Sequence, residues 1–334
     1  MKKTLLLTTA LIGTLSVLGT ANAEIKIGGG VKTAWKSAES KTTTGAAESG
    51  FSQERQIDFS SSGTLNNGMK YNAGFSMEQD AEDTKFDGGE GNYVSVTSGS
   101  TTFELGNDHI ALNSDYNIVP RAGNAINEEI GTYGGLLFAQ DGGKLKESMG
   151  LGVVQEIPTG KVMLNYYPKA QTTAIAQGDT KVANDLGTSG YEVAYGGKPM
   201  ANLDVFANYR TRGKDGVETE DFKGKKAGFA YGLGSAKFGY EYATHETNGA
   251  ETKMSEIGVV FKLSDNASMG IGQTKAELKT AAGVTGLEEK VNYLQIGYNL
   301  GAIGTQLSYI DTSDLGGNAA VDPKVLVLKV NTKF

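Results

Sequence analysis

Polar and apolar residues alternate along most of the chain after residue 23. Residues 236–243 illustrate the pattern, because aromatic side chains occupy one face of the predicted strand and polar residues or glycine the other: Phe238, Tyr240 and Tyr242 against Lys237, Gly239 and Glu241. A period of two residues is typical of β-strands that bury one face. It predicts about sixteen strands, at residues 24–36, 51–62, 69–79, 91–98, 101–109, 150–157, 161–168, 190–197, 202–212, 222–233, 236–246, 252–263, 268–277, 288–299, 304–312 and 324–334.

The connections between these strands alternate in length. Short ones, such as residues 98–100 and 232–236, carry glycine and serine, which are common turn residues. Long polar ones, such as residues 36–50 and 170–190, lie between them. Short turns at one end and long loops at the other, joined by strands of about ten residues, are typical of transmembrane β-barrels.

A soluble two-sheet sandwich would show the same alternation, with its apolar face turned inward. Two features favour the barrel. About sixteen half-polar strands are many for one two-sheet core, and predicted strands that begin at Glu24 and end at Phe334 allow the sheet to close without an edge. In a barrel the aromatic face meets lipid, and the polar face lines an interior that contains several glycines: Gly228, Gly239, Gly258, Gly270, Gly272 and Gly297.

One connection, about residues 110–149, does not fit the alternation. It is long for a loop in a compact protein and too apolar for a disordered segment, since it contains Ile118, Val119 and Phe138. Because these side chains need a surface to pack against, the segment is predicted to fold into the barrel. The predicted fold is therefore all-β, a transmembrane antiparallel up-and-down barrel of about 16 strands whose long third loop lies in the lumen.

Charged residues form two candidate groups around this lumen. The acidic group belongs to the long loop and the residue just before it: Asp108, Asp115, Glu128, Glu129 and Asp141. The alternation of each strand places the basic group on the inner wall: Lys32, Arg210, Arg212, Lys226 and Lys237. Opposed charges across a narrow pore create a transverse field and a charge-dependent filter. Alternatively, Arg210 and Arg212 are solvated wall residues away from the constriction. Arg55 has the opposite parity and is expected to point outward, at the rim or at a subunit contact.

The first 23 residues are typical of a secretory signal peptide. Two lysines precede an apolar region from residue 5 to about residue 18, and Ala21-Asn22-Ala23 supplies the small residues of a cleavage site. The alternative is an uncleaved membrane anchor, for which the apolar region is short. Cleavage would leave one domain, residues 24–334, and would remove two lysines from a chain whose formal net charge is −7. Such an acidic balance argues against a nucleic-acid partner.

The residues that catalysis needs are scarce. The sequence has no cysteine and two histidines, His109 and His245, and neither stands in a motif that places a nucleophile beside it. No phosphate-binding loop and no H-E-x-x-H zinc motif occurs. We therefore expect no enzyme activity, no cofactor and no metal. The acidic residues between 78 and 83 offer oxygen ligands for a divalent cation, but a solvated loop is the more ordinary explanation.

The signal peptide, the sixteen strands, the long loop after the fifth strand and the terminal Phe334 together resemble the general porins of Gram-negative outer membranes. The resemblance covers the whole mature chain. It implies a homotrimer of sixteen-stranded barrels, each with a water-filled pore that the third loop narrows. It also implies contact with outer-membrane lipid and lipopolysaccharide, and it makes Phe334 a signal for the barrel-assembly machinery.

The sequence departs from that family in two places. The constriction loop of the best-known members carries a Pro-Glu-Phe-Gly-Gly stretch whose glutamate lines the pore. The nearest match here is residues 131–135, where Thr132 replaces the acid, so Glu128 and Glu129 are expected to supply the charge. Gln56 stands where the family often has an arginine on the second strand. A lumen wall with fewer basic residues favours the passage of cations over anions.

The resulting prediction is a passive diffusion channel for small hydrophilic solutes and ions across the outer membrane, with a weak preference for cations. One alternative is a substrate-specific channel with a saturable site, which would usually need an aromatic track or a dense basic ladder in the lumen. A second alternative is a structural or adhesive barrel without an open pore. Conductance of the purified protein in planar bilayers distinguishes the three.

Overall fold

The computed structural model describes residues 24–39, 49–80, 87–106, 118–122, 150–168, 189–213, 221–279, 285–314 and 322–334. In these ranges the chain forms sixteen strands: β1 (Glu24–Glu39), β2 (Gly50–Thr64), β3 (Lys70–Asp80), β4 (Asp87–Ser98), β5 (Thr101–Gly106), β6 (Gly150–Ile157), β7 (Gly160–Tyr167), β8 (Gly190–Met200), β9 (Leu203–Arg212), β10 (Phe222–Leu233), β11 (Ala236–Thr247), β12 (Ala250–Lys262), β13 (Ala267–Lys279), β14 (Thr285–Leu300), β15 (Ile303–Ser313) and β16 (Lys324–Lys333). Each strand pairs antiparallel with its neighbours in sequence, and β16 pairs with β1. The predicted up-and-down barrel is therefore confirmed.

The predicted signal peptide, residues 1–23, lies outside the described residues. Within the described ranges, no helix is both long enough and apolar enough to cross a membrane.

The seam between the first and last strands is closed by backbone hydrogen bonds. β1 and β16 pair over ten consecutive residues, and beyond them Gly29 and Phe334 exchange two backbone hydrogen bonds of 3.1 Å. The Phe334 ring lies so close that a Cβ at Gly29 would come within 3.0 Å of it. An open sheet edge in hydrocarbon would leave N–H and C=O groups without partners, and this seam avoids that cost.

The strands present two different surfaces. On β14, Leu294, Ile296 and Tyr298 point outward and are 41–46% exposed, whereas Tyr293 and Gln295, which alternate with them, are buried. Exposed apolar side chains continue around the outer wall: Ile257, Ile271, Leu307, Tyr309 and Leu328. An apolar outer surface with a mostly polar inner one is what a lipid-embedded barrel requires.

Turns of two to five residues join the strands at one end of the barrel, and most connections at the other end are longer. β11 and β12 are joined at the long-loop end by the two-residue turn Asn248-Gly249, in which both residues have positive φ, 51° and 79°. An Asn-Gly pair in a type I′ turn matches the twist of the flanking strands. The predicted alternation of short and long connections holds for most of the barrel, and it fails most clearly at this hairpin.

Deletion of Phe334 is expected to lower the yield of folded barrel, because it removes two hydrogen bonds of the seam. The folded fraction can be measured by semi-native gel electrophoresis after the purified chain is refolded in detergent, without the barrel-assembly machinery. The substitution Phe334→Ala serves as the control, since it retains the backbone bonds and removes only the ring. A normal yield of the deletion variant would contradict the prediction.

Candidate functional site: the barrel lumen

Five residues of the long third loop, Ile118–Ala122, are described, and they lie against the inner wall of β10–β13. The wall has glycine at four of the places of contact. A Cβ at any of these glycines would come within 2.6–3.0 Å of an atom of the segment: Gly228 (Ile118), Gly239 (Pro120), Gly258 (Val119) and Gly270 (Ala122). We call these four residues the glycine trough. The absence of a Cβ leaves room for the segment to lie directly against the strands. The predicted lumenal position of the loop is confirmed for this segment.

An ion pair anchors the segment to the wall. The Arg121 guanidinium donates from Nη2 to Oε1 and Oε2 of Glu256 at 2.6 and 2.8 Å, and from Nε to Oε1 at 3.0 Å. The Tyr293 hydroxyl donates to the same Oε1 at 3.0 Å, and its ring lies 5.5 Å from Cζ of Arg121. Both charged side chains are buried, at 8% and 2% exposure. A charge-assisted pair with several parallel hydrogen bonds is both strong and geometrically specific.

A second contact holds the start of the segment. The backbone N–H of Ile118 donates to Oε2 of Glu241 at 3.3 Å, and Glu241 forms an ion pair of 3.0 Å with Lys226. The Ile118 side chain packs in a buried cluster with apolar residues of five strands: Val154, Met163, Ala194, Phe206 and Ala230. The segment is thus held by one apolar and two polar contacts on the same side of the barrel.

The predicted acidic residues, Asp108, Asp115, Glu128, Glu129 and Asp141, lie outside the described residues. The predicted basic residues are all described and all have inward parity. Three of them are paired with carboxylates of the inner wall. Lys32 pairs with Glu54 and Lys226 with Glu241 on the adjacent strands, and Lys237 pairs with Asp204 two strands away. Their charges are therefore largely compensated by the wall itself.

The two predicted arginines lie on the inner face of β9, and each is 6% exposed. The Arg210 guanidinium lies 5.0 Å from the centre of the Phe222 ring and near Glu192, which accepts a hydrogen bond of 3.1 Å from Asn208 Nδ2. Strand β9 is eight strands away from β1 in the barrel. The structure therefore separates these arginines from Lys32 and buries them against the wall.

The solvent exposure of the inward side chains differs from one side of the barrel to the other. Most inward side chains of β6–β16 are buried, for example Met163, Gln295 and Gln306. On β1–β5 the inward side chains are mainly half-exposed, and we call this surface the open wall: Lys32, Glu54, Gln56, Asp58, Ser60, Tyr93, Ser95, Thr102 and Glu104. Water within the barrel therefore contacts mainly the wall that β1–β5 form.

The open wall carries a carboxylate that sequence reasoning missed. Asp58 accepts hydrogen bonds of 2.8 Å from Nε2 of Gln56 and from Oγ of Ser76. Both donors are neutral, and among the described residues no lysine or arginine lies within 4.0 Å of this carboxylate. Strand parity could have found it, since Ile57 and Phe59 face outward. A half-exposed carboxylate without a cationic partner attracts cations from the solution.

The family model of Gram-negative porins matches residues 8–315 of the chain. OmpT of Vibrio cholerae, in its trimer form, has a TM-score of 0.67 at 12% identity, over 93% of this chain and 99% of that chain. A mutant porin of Rhodopseudomonas blastica has a TM-score of 0.65 at 14% identity, over 93% and 100%. Comparison with curated protein sequences finds no significant match.

At such low identity, likeness to solved structures establishes the fold alone, whereas the family model establishes membership. Sixteen strands close around a lumen that receives the segment Ile118–Ala122 of the third loop, and the match of the family model extends over nearly the whole sequence. The chain belongs to the Gram-negative porins, the channel proteins of the outer membrane.

Proposed function

We propose that this porin is a passive diffusion channel for small hydrophilic solutes and ions, with a weak preference for cations. The observation that carries the proposal is the Asp58 carboxylate on the open wall, which has only neutral hydrogen-bond donors. Ions that pass along this wall meet a negative charge that no lysine or arginine of the described residues compensates. The preference is weak because Lys32 and Glu54 on the same wall neutralise each other.

The basic residues of the opposite side contribute less to the field along the water path. Lys226 and Lys237 are paired with Glu241 and Asp204. The charges of Arg210 and Arg212 act from buried positions. Acidic residues of the third loop add to the proposed preference for cations: Asp108, Asp115, Glu128, Glu129 and Asp141.

The proposed pore is narrowed by the third loop, and the Arg121–Glu256 pair keeps the described segment of that loop, Ile118–Ala122, on the side of β10–β13. A segment held there leaves the open wall of β1–β5 accessible to solutes. The anchor therefore sets the cross-section of the channel, while Asp58 sets its charge.

The proposed assembly is a homotrimer, and the V. cholerae relative with the same fold was solved in a trimer form. The proposed maturation removes residues 1–23. Phe334 is proposed to be read by the barrel-assembly machinery, and outer-membrane lipid and lipopolysaccharide are proposed to surround the outer wall.

The substitution Asp58→Asn is expected to reduce the preference for cations. One charge about 7 Å from an ion changes its energy by about 0.6 kcal/mol in water. Removing that charge should lower the potassium permeability and raise the chloride permeability by about two- to threefold each, so their ratio should fall about sevenfold. The ratio follows from the reversal potential in a salt gradient across planar bilayers. Asp265→Asn is the matched control, because Asp265 lies in a short turn and its side chain is 93% exposed.

An unchanged reversal potential in Asp58→Asn would remove the observation on which the cation preference rests. A parent protein that prefers anions would contradict the proposed selectivity, and a parent without conductance would contradict the proposed diffusion channel.

The substitution Arg121→Met is expected to loosen the third loop, because it leaves the Glu256 carboxylate buried without its cation. Breaking a buried ion pair on one side typically costs about 3–5 kcal/mol. We expect a lower unfolding temperature and greater open-channel current noise. The double variant Arg121→Met/Glu256→Gln should recover part of the stability, because it removes the stranded charge.

Arg55→Met is the matched control for this experiment, because Arg55 lies on the outer surface and donates only to Gln79 and Gln53. Equal current noise in the Arg121 and Arg55 variants would show that the ion pair does not hold the loop.

A further inference from the structure

Tyr93 is the one aromatic residue in the described part of the open wall. Its ring lies over Gly74 of the neighbouring strand β3, where a Cβ would come within 2.9 Å of Cε1 and 3.2 Å of Cζ. The side chain of Asn72 forms a hydrogen bond with the Tyr93 hydroxyl, and the tyrosine is half-exposed. The missing side chain at Gly74 therefore lets an aromatic ring lie directly on the wall, with part of its surface open to water.

The Asp58 carboxylate lies over the same strand. It accepts a hydrogen bond of 2.8 Å from Oγ of Ser76, and Ser76 is the next inward residue of β3 after Gly74. Two residues along a strand span about 7 Å, so the Tyr93 ring and the Asp58 carboxylate occupy adjacent places on the wall. On the other side of Asp58, the opposite residue of β1 is Gly28, which has no side chain to fill the space.

The charges around these two residues limit what the place can hold. Asp58 and Glu104 are both close enough to interact electrostatically with the Tyr93 hydroxyl. Lys26 lies opposite Ser60 on β1, and its ammonium group is more than 4.0 Å from the Asp58 carboxylate. A long polycation would bring a second positive charge towards this lysine. The surroundings therefore favour a compact cation with one charge.

An aromatic ring beside a carboxylate has the chemistry that recognises organic cations. The quadrupole of the ring attracts a cation placed over its face within about 6 Å of the centroid, and the carboxylate accepts charge-assisted hydrogen bonds from an ammonium group. An alkylammonium ion also gains from placing its apolar stem against the ring. Potassium has no such stem, so the ring distinguishes the two kinds of cation.

We propose that Tyr93 and Asp58 form a saturable binding site for small organic ammonium ions on the open wall. We call it the ammonium site. The inference rests on the proposed diffusion path along this wall and names a class of solute that the path retains. It differs from the weak cation preference, because the charge of Asp58 acts on every cation and the Tyr93 ring selects among them.

The test measures the conductance of the purified full-length protein in planar bilayers as a function of salt concentration. Conductance in butylammonium chloride should saturate, because an occupied site slows further passage, whereas conductance in potassium chloride should continue to rise. Tyr93→Leu should raise the half-saturating concentration of butylammonium about two- to fivefold, the value of a cation–π contact at an exposed site. Tyr93→Phe retains the ring and should remain close to the parent protein.

Asp58→Asn should raise the same half-saturating concentration about three- to fivefold, as expected for a charge about 4–7 Å from the ammonium group. This variant also tests the site if Tyr93→Leu does not fold, because asparagine has nearly the size of aspartate. Tyr309→Leu is the matched control, since Tyr309 lies on the outer wall and is 40% exposed. It should saturate at the same concentration as the parent.

Several results would overturn the ammonium site. An unchanged half-saturating concentration in Asp58→Asn or in folded Tyr93→Leu would do so, and so would an equal rise in Tyr309→Leu. A loss in Tyr93→Phe as large as that in Tyr93→Leu would show that the ring is not the recognised surface.

Saturation-transfer NMR of the detergent-solubilised protein measures the same affinities without conductance, with butanol as the matched neutral solute. Butanol should bind more weakly than butylammonium, and equal affinity would overturn the proposal because charge would then not be recognised. A parent protein that binds butylammonium without conducting would contradict the proposed diffusion channel alone. A conducting parent without saturable binding would contradict the ammonium site alone.

Discussion

Hydrocarbon offers the backbone no hydrogen-bond partner, and most of this structure follows from that constraint. Sixteen strands satisfy it by pairing on both sides, so the ladder closes through β1 and β16 and extends to the bonds between Gly29 and Phe334. Once the ladder is closed, the two-residue period assigns each strand residue either to the outer wall or to the lumen. The outer wall is then apolar because lipid surrounds it, and most polar side chains are directed inward or to the rims.

A barrel of this size encloses more space than its wall side chains can fill, and part of the third loop enters it. Buried ion pairs are weak evidence for stability, because the desolvation of two charges offsets much of their attraction. Their geometry is nevertheless demanding, and the guanidinium of Arg121 fits Glu256 in one arrangement. The ion pair and the glycine trough together determine where the segment lies, and this matters more for a channel than the energy they add.

Local periodicity was sufficient to predict the strands and the inward parity of residues such as Arg210 and Lys226, because a two-residue period is a property of each strand alone. It could not pair residues that are distant in sequence. Arg121 and Glu256 are 135 positions apart, and nothing in the pattern distinguishes this arginine from other loop cations. The open wall was also beyond sequence reasoning, since Asp58 and Glu256 share inward parity and differ only in what covers them.

The charges inside and outside the barrel follow the same physical rule. The wall compensates many of its own charges, as Lys226 with Glu241 in the lumen and Lys275 with Glu277 on the outer surface illustrate. A compensated pair has a short-range field, whereas a single charge acts over about a Debye length. Among the described residues, Asp58 in the lumen belongs to the second kind. The proposed cation preference of the lumen can therefore depend on one carboxylate, because the field along the water path depends on the few charges that no described residue compensates.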